Sequence, residues 1–180
     1  MANLFEQAPS ARSKCRGCGR GIERGELRFG ERVQNLFAEG ETTLWFHPVC
    51  AAYKRPQALL ETLEASIEGV PDQDGLKRVA TASVAHPKLA RIDGAEKSPS
   101  GQAKCRHCRQ PIEKGAWRIR ITYYEEGRFS PGGYIHLGCR KEYFGTSESG
   151  ATAAVGEAIL QFSPALSDVE REELTRVLME

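Results

Sequence analysis

Two stretches of the chain alternate apolar and polar residues with a period of two: ELRFGERV, from Glu26 to Val33, and AWRIRITYY, from Ala116 to Tyr124. Alternation of this kind sets one face of a strand against a core and leaves the other toward water, so each stretch predicts a half-buried strand. Turn-rich segments follow, QNLFAEGE in the first half and EEGRFSPGG in the second, and each leads into a second short strand, TTLWF or GYI. Helical segments come next, CAAYKRPQALLETL and CRKEYF. Each half then closes on an acidic, helix-prone tail. The second tail contains Ser167 and Glu170 in capping-box spacing, opening a last helix with Val169, Leu174, Val177 and Leu178 available for packing. Residues 83–104 are rich in Ala, Ser, Gly, Pro and Lys and read as a linker. The pattern predicts two small α+β modules in tandem, residues 1–82 and 105–180, each an antiparallel sheet plus helix followed by a short helical tail.

Charge sharpens this division. The net charge of +1 over 180 residues hides an alternation along the chain. Residues 1–56 carry 9 Lys and Arg against 6 Asp and Glu, and residues 99–145 carry 9 against 4. Residues 57–98 and 146–180 are acidic, with 5 against 7 and 2 against 7. The basic blocks coincide with the two Cys-rich segments, which is the positional field a polyanion partner requires. No apolar run approaches the ~20 residues of a membrane span, so no membrane partner is expected. The N-terminal segment MANLFEQAPSARSKC lacks the apolar core of a secretory signal.

The six cysteines complete the repeat. CRGCGRGIERGELRFG, beginning at Cys15, and CRHCRQPIEKGAWRIR, beginning at Cys105, share seven identical positions. Farther on stand WFHPVC and YIHLGC, which give His47 with Cys50 and His136 with Cys139. Each half therefore holds C-x2-C, a gap of 28 or 27 residues, and H-x2-C. An odd number of cysteines per half argues against a disulfide framework. Three thiolates and one imidazole instead make a closed tetrahedral zinc site with no open position for substrate. The metal ligands predicted are Cys15, Cys18, His47 and Cys50 in one finger, and Cys105, Cys108, His136 and Cys139 in the other, holding two structural Zn2+ ions. Gly17 and Gly19 suit a backbone that turns tightly around a metal. A finger of this size cannot bury enough core to fold alone; structural zinc supplies about 10–16 kcal/mol of apparent binding free energy in small fingers. All six cysteines are consumed as ligands, which speaks against thiol catalysis. His107 and His86 read as bystanders, and Trp45 and Tyr134 as packing beside the metal.

These residues resemble the poly(ADP-ribose) polymerase-type zinc finger, which also occurs in a nick-sensing DNA ligase. The likeness rests on the ligand spacing, on I-E-x-G-x-x-R behind the first pair and on the aromatic pair before the histidine. It covers both fingers, about 90 of the 180 residues. The resemblance implies binding to DNA strand breaks by structure and not by sequence. It also implies a backbone-contacting arginine at Arg12, where finger 2 has Gln102, and a second at Arg28 and at Arg118. Base-stacking positions implied by the family fall on Ala38 and Thr42 and on Arg128 and Pro131; Leu36, Phe37 and Phe129 lie close by and are the apolar groups able to cover an exposed base pair. Arg12, Lys14, Arg16, Arg28 and Arg32 would then meet phosphates from finger 1, and Lys104, Arg106, Arg109, Arg118 and Arg120 from finger 2.

The sequence thus predicts a monomeric, non-catalytic, zinc-dependent protein with damaged or nicked DNA as partner and a repair enzyme acting beside it. The family's catalytic domains have no counterpart after Cys139, and no Walker, Rossmann or hydrolase-elbow motif is present. The competing reading is a structural zinc adaptor whose basic faces dock acidic proteins. Thiolate ligands fit a reducing compartment: cytoplasm or nucleoid in a bacterium, nucleus in a eukaryote.

Overall fold

The computed structural model describes residues 2–35, 38–65, 69–145 and 149–180. The chain divides into two compact units, residues 1–90 with 125–128, and residues 91–124 with 129–180.

In the first unit, β1 (Leu4–Gln7), β2 (Leu27–Gln34) and β3 (Glu41–Phe46) form an antiparallel sheet in that order. Leu4 pairs with Gly30 across the first ladder, and Phe29 pairs with Phe46 across the second. This register stacks Phe5 on Phe29 and Phe29 on Phe46, with ring centroids 5.4 and 6.5 Å apart. Two short helices leave the sheet, α1 (Pro48–Lys54) and α2 (Pro56–Glu64). Each opens on a proline in its first turn, where the missing N–H costs no intrahelical bond. Helix α3 (Gln73–Ala85) starts at Asp72, whose side chain accepts the Gly75 N–H, and packs on both α1 and α2. Leu59, Leu63, Leu76, Val79 and Ala80 fill the space between the helices. The tail of the first half is thus two ordered helices with its own apolar layer.

The second unit repeats the plan with β4 (Ile92–Lys97), β5 (Trp117–Glu125) and β6 (Arg128–His136), again antiparallel in chain order. The helices α4 (Arg140–Phe144), α5 (Ser149–Gln161) and α6 (Asp168–Met179) follow. Helix α5 lies so close to β4 that a Cβ on Gly94 would stand 2.0 Å from the Phe162 carbonyl oxygen. The Ala95 N–H donates to Ser163 Oγ beside it. Helix α6 is fastened through Glu173, which accepts from the Trp117 indole N–H and from Lys97.

Both sheets have a strand that the hydrophobic pattern did not predict. Residues 83–104, read as linker, hold the end of α3, a single 3-10 turn and β4. The signal is missing because the buried positions of β4 include Gly94 and Ala95, kept small by the approach of α5. The turn-rich EEGRFSPGG is mostly strand: β5 and β6 are joined at Glu126 and Gly127, both with positive φ (50° and 72°), the conformation a two-residue hairpin turn demands. The capping box at Ser167 forms as read. Of the residues assigned to α6 packing, Leu174 is buried, whereas Val169 is 75% exposed.

Candidate metal centres and nucleic-acid face

The two clusters are built alike. In finger 1 the Cys15 N–H donates to the Arg20 carbonyl, and the Gly19 N–H returns to the Cys15 carbonyl (both 2.8 Å). Finger 2 makes the same two bonds, from Cys105 to Gln110 (2.9 Å) and from Arg109 to Cys105 (3.0 Å). These turns present two sulfurs to one point. The histidine closing each strand comes back to the same point, and its backbone N–H donates to Cys15 Sγ or Cys105 Sγ. Cys50 and Cys139 arrive in the following helical turn.

The four donor atoms of each cluster lie within 4.8 Å of one another. Cys18 Sγ and Cys50 Sγ stand 3.5 and 3.8 Å from His47 Nδ1; Cys108 Sγ and Cys139 Sγ stand 3.3 and 3.9 Å from His136 Nδ1. Zinc with ordinary bond lengths at a tetrahedral centre places S and N about 3.6 Å apart. The residues fit the ion. The Nε2–H of each ring donates to a backbone carbonyl, Gly21 in finger 1 (3.2 Å) and Pro111 in finger 2 (2.9 Å), which fixes Nδ1 as the ligand atom.

Crowding of the sulfurs shifts the groups that carry them. Cys18 is pushed down by hydrogen bonds with Cys15 first and then Cys50, while hydrogen bonds with Cys15 first and then Cys18 drive Cys50 up. His47 is raised to about 10 by hydrogen bonds to Cys15 and Cys18. In finger 2 Cys139 is pushed up to about 12, by burial first and then by Cys108. Cys105 sits at about 6: burial raises it, and the backbone N–H groups of His136, Cys108 and His107 outweigh that. One thiolate is welcome at each point, further ones repel it, and a dication supplies the missing positive charge. Both Cys3His groups therefore suit structural zinc, with every ligand position filled by protein.

The two centres differ in exposure. Cys15, His47 and Cys50 are buried in finger 1, whereas in finger 2 only Cys105 is buried and Cys108 is exposed. Gly17 accounts for this. A Cβ there would lie 2.9 Å from Cys50 Cβ, so glycine lets α1 close over the knuckle. His107 occupies the equivalent place in finger 2 and is exposed.

The expected phosphate-binding residues fall into two groups. Arg12, Lys14, Arg16 and Arg32 are exposed on finger 1, and Lys104, Arg106 and Arg109 on finger 2. Lys14 and Arg16 line one cleft along β2 and β3 with Val33, Gln34, Thr42 and Trp45. Arg28 and Arg118 depart from expectation: they are 6% and 5% exposed, and their guanidinium groups are committed within the fold. Arg28 donates to Glu6 through two nitrogens and to Ser13 Oγ (2.5 Å), and lies 3.6 Å from the centre of the Trp45 ring. Arg118 repeats this with Glu96 (3.0 and 2.5 Å) and Tyr134 (3.6 Å). Arg120 is also engaged, donating twice to the Asp93 carbonyl (2.7 and 3.1 Å).

Among the expected stacking groups, Phe129 lies on β6 and not in a loop, half-buried against Tyr124 with ring centroids 4.8 Å apart. Leu36 and Phe37 lie outside the described residues. Two groups were missed by sequence reasoning. Glu6 and Glu96 hold the buried arginines, and a signal existed: Glu6, Pro9, Ser10 and Lys14 recur at Glu96, Pro99, Ser100 and Lys104, so the repeat starts well before the first cysteine. The other is Arg20, raised above its ordinary value chiefly by a hydrogen bond with Cys18.

Residues 6–86 match the family model described as the poly(ADP-ribose) polymerase and DNA-ligase zinc-finger region. Residues 6–86 belong to this zinc-finger family. The repeat, the second sheet and the Cys105–Cys139 cluster give the second unit the same plan. Similar curated proteins include a poly [ADP-ribose] polymerase of Sarcophaga peregrina, 32% identical over 137 residues, covering 67% of this chain and 14% of that protein. Another is poly [ADP-ribose] polymerase 1 of Gallus gallus, 29% identical over 181 aligned residues, covering 87% of this chain and 18% of the relative. The chain thus spans only 14% and 18% of the length of these relatives. Among the described residues no helix is long and apolar enough to cross a membrane.

Proposed function

We propose that this chain is a non-catalytic, zinc-dependent DNA-binding protein that recognises strand breaks (nicks, gaps or ends) by their structure. The observation that carries this reading is the rim of exposed cations beside each zinc knuckle: Arg12, Lys14 and Arg16 in one finger, Lys104, Arg106 and Arg109 in the other. Membership of residues 6–86 in the poly(ADP-ribose) polymerase and DNA-ligase finger family supports it. The metals hold each knuckle rigid. The exposed cations neutralise phosphates and displace counterions, which gives affinity without reading sequence. A break adds what an intact duplex lacks, an exposed base-pair face and a flexible joint, and two fingers on one chain address its two sides with the second contact favoured by effective concentration. A repair enzyme is the partner expected to act beside this chain at the break.

The test is binding of the zinc-loaded protein to duplexes of identical sequence that are intact, nicked or gapped by one nucleotide, at two salt concentrations. Tighter binding to the nick or gap with a steep salt slope is expected. Equal, weak binding to all three would end the break-recognition reading.

A further inference from the structure

Finger 2 carries a constellation that finger 1 lacks. Arg91, at the end of the 3-10 turn before β4, places its guanidinium 5.3 Å from the centre of the Tyr123 ring on β5. Tyr143 of α4 stands beside it: its hydroxyl is held above the ordinary tyrosine value by burial first and by Tyr123 second, while Arg91 and Arg106 pull it back down. His107 meets Tyr143 edge to face at 6.3 Å. Beneath lies the glycine pair of β6. A Cβ on Gly132 would come within 2.9 Å of the Tyr123 ring, and one on Gly133, at φ 99°, within 2.8 Å of Arg106 Nε. Glycine at the first place admits the tyrosine ring, and glycine at the second admits the arginine side chain. The corresponding strand of finger 1 has Thr43 and Leu44 there, with Val33 and Gly17 in place of Tyr123 and His107. The repeat has kept its zinc ligands and changed this patch.

Exposed arginines interleaved with half-exposed aromatic rings match the chemistry of an unpaired strand. Guanidinium groups track the phosphates, and rings offer stacking surface to any base free of its partner. A paired duplex presents phosphates only, for which the knuckle cations suffice. We propose that Arg91, Arg106, Tyr123 and Tyr143 form a site for single-stranded DNA, the displaced or overhanging strand at a break. This inference rests on the break-binding reading and adds a second ligand class to it.

The test uses the full zinc-loaded chain and fluorescence anisotropy on three labelled substrates, an intact duplex, the same duplex nicked, and the same nick bearing an oligothymidine flap of about ten nucleotides. The flap is expected to tighten binding about tenfold, the order of one stacked base. Arg91→Glu is expected to abolish that gain while leaving affinity for the plain nick unchanged. Tyr123→Ala, checked for zinc content and melting temperature, is expected to do the same. A flap that adds nothing, or a gain that survives Arg91→Glu, overturns the inference and leaves break binding standing. Failure to prefer the plain nick over intact duplex overturns both.

Discussion

Zinc is expected to leave finger 2 before finger 1, with Gly17 setting the difference. In finger 1 the knuckle and the first turn of α1 touch: a Cβ on Gly17 would meet Cys50 Cβ at 2.9 Å and the Phe46 ring and Lys54 Cγ at 3.5 Å. None of these can swing aside freely, because Cys50 is itself a ligand and Phe46 is fully buried. In Gly17→Ala the helix must lift away from the metal by a few tenths of an ångström. Overpacking of this kind costs about 1–3 kcal/mol, small beside the about 10–16 kcal/mol that zinc binding contributes in small fingers. The variant therefore folds with metal bound, yet its finger 1 affinity drops about 5- to 150-fold. Transfer of zinc to an excess of chromophoric chelator is expected to give two phases in the wild-type protein. The fast phase belongs to finger 2, where Cys108 is exposed to the competitor, and is absent in His136→Ala. Gly17→Ala moves the slow phase toward the fast one and leaves the fast phase alone. Loss of both ions at one rate from the wild type, or an unmoved slow phase in Gly17→Ala, would refute the reasoning.

Arg28→Lys and Arg118→Lys keep the charge but lose the forked hydrogen bonds to Glu6 or Glu96 and the stack on Trp45 or Tyr134; each is expected to cost about 2–4 kcal/mol, read as a lower thermal midpoint with zinc saturating. Metal-free Cys139, at about 12, is protonated at neutral pH and must lose its proton to become a ligand. Finger 2 affinity for zinc is therefore expected to rise by about one decade or more per pH unit between about pH 6 and 8, with matching proton release in calorimetry across two buffers. Gly94→Ala places a methyl group 2.0 Å from the Phe162 carbonyl oxygen at φ 94°; hydrogen exchange is expected to accelerate through α5 and β4 while finger 1 is unchanged. Arg16→Ala is expected to lower the slope of log affinity for nicked DNA against log salt by about one, with no change in melting.

How much was legible in the sequence depended on what each residue had to announce. Ligand sets were readable because four side chains of restricted type must recur at fixed spacing, and both clusters form as read. The central strands announced themselves through alternation. Strand β4 did not, since its buried positions include Gly94 and Ala95, and the smallness of Gly94 answers to Phe162 and Ser163 at the end of α5. Arginines were the poorest guide. Arg16 and Arg28 look equivalent in the sequence, but one is exposed and the other is spent on Glu6 and Trp45. Only the partner across the sheet separates them, and that partner lies 22 residues away.

The pattern of identity between the two fingers carries its own argument. The positions that repeat include the four ligands, Ile22 and Ile112 under the knuckles, and the glutamate–arginine pairs behind an aromatic ring, together with exposed cations, Lys14 and Arg16 recurring as Lys104 and Arg106. Positions that differ include buried ones, with Phe29 replaced by Ile119 and Glu31 by Ile121, and more accessible ones, with Arg12 replaced by Gln102, Arg20 by Gln110 and Val33 by Tyr123. Here finger 1 keeps the fuller set of knuckle arginines and a buried metal, while finger 2 gains rings, a glycine floor and an exposed metal. A strand break has two unlike sides, one continuous strand opposite one cut strand with two chemically different ends. On the reading proposed here, a chain with two identical fingers would bind such an object in two orientations equally, and the surface differences favour one.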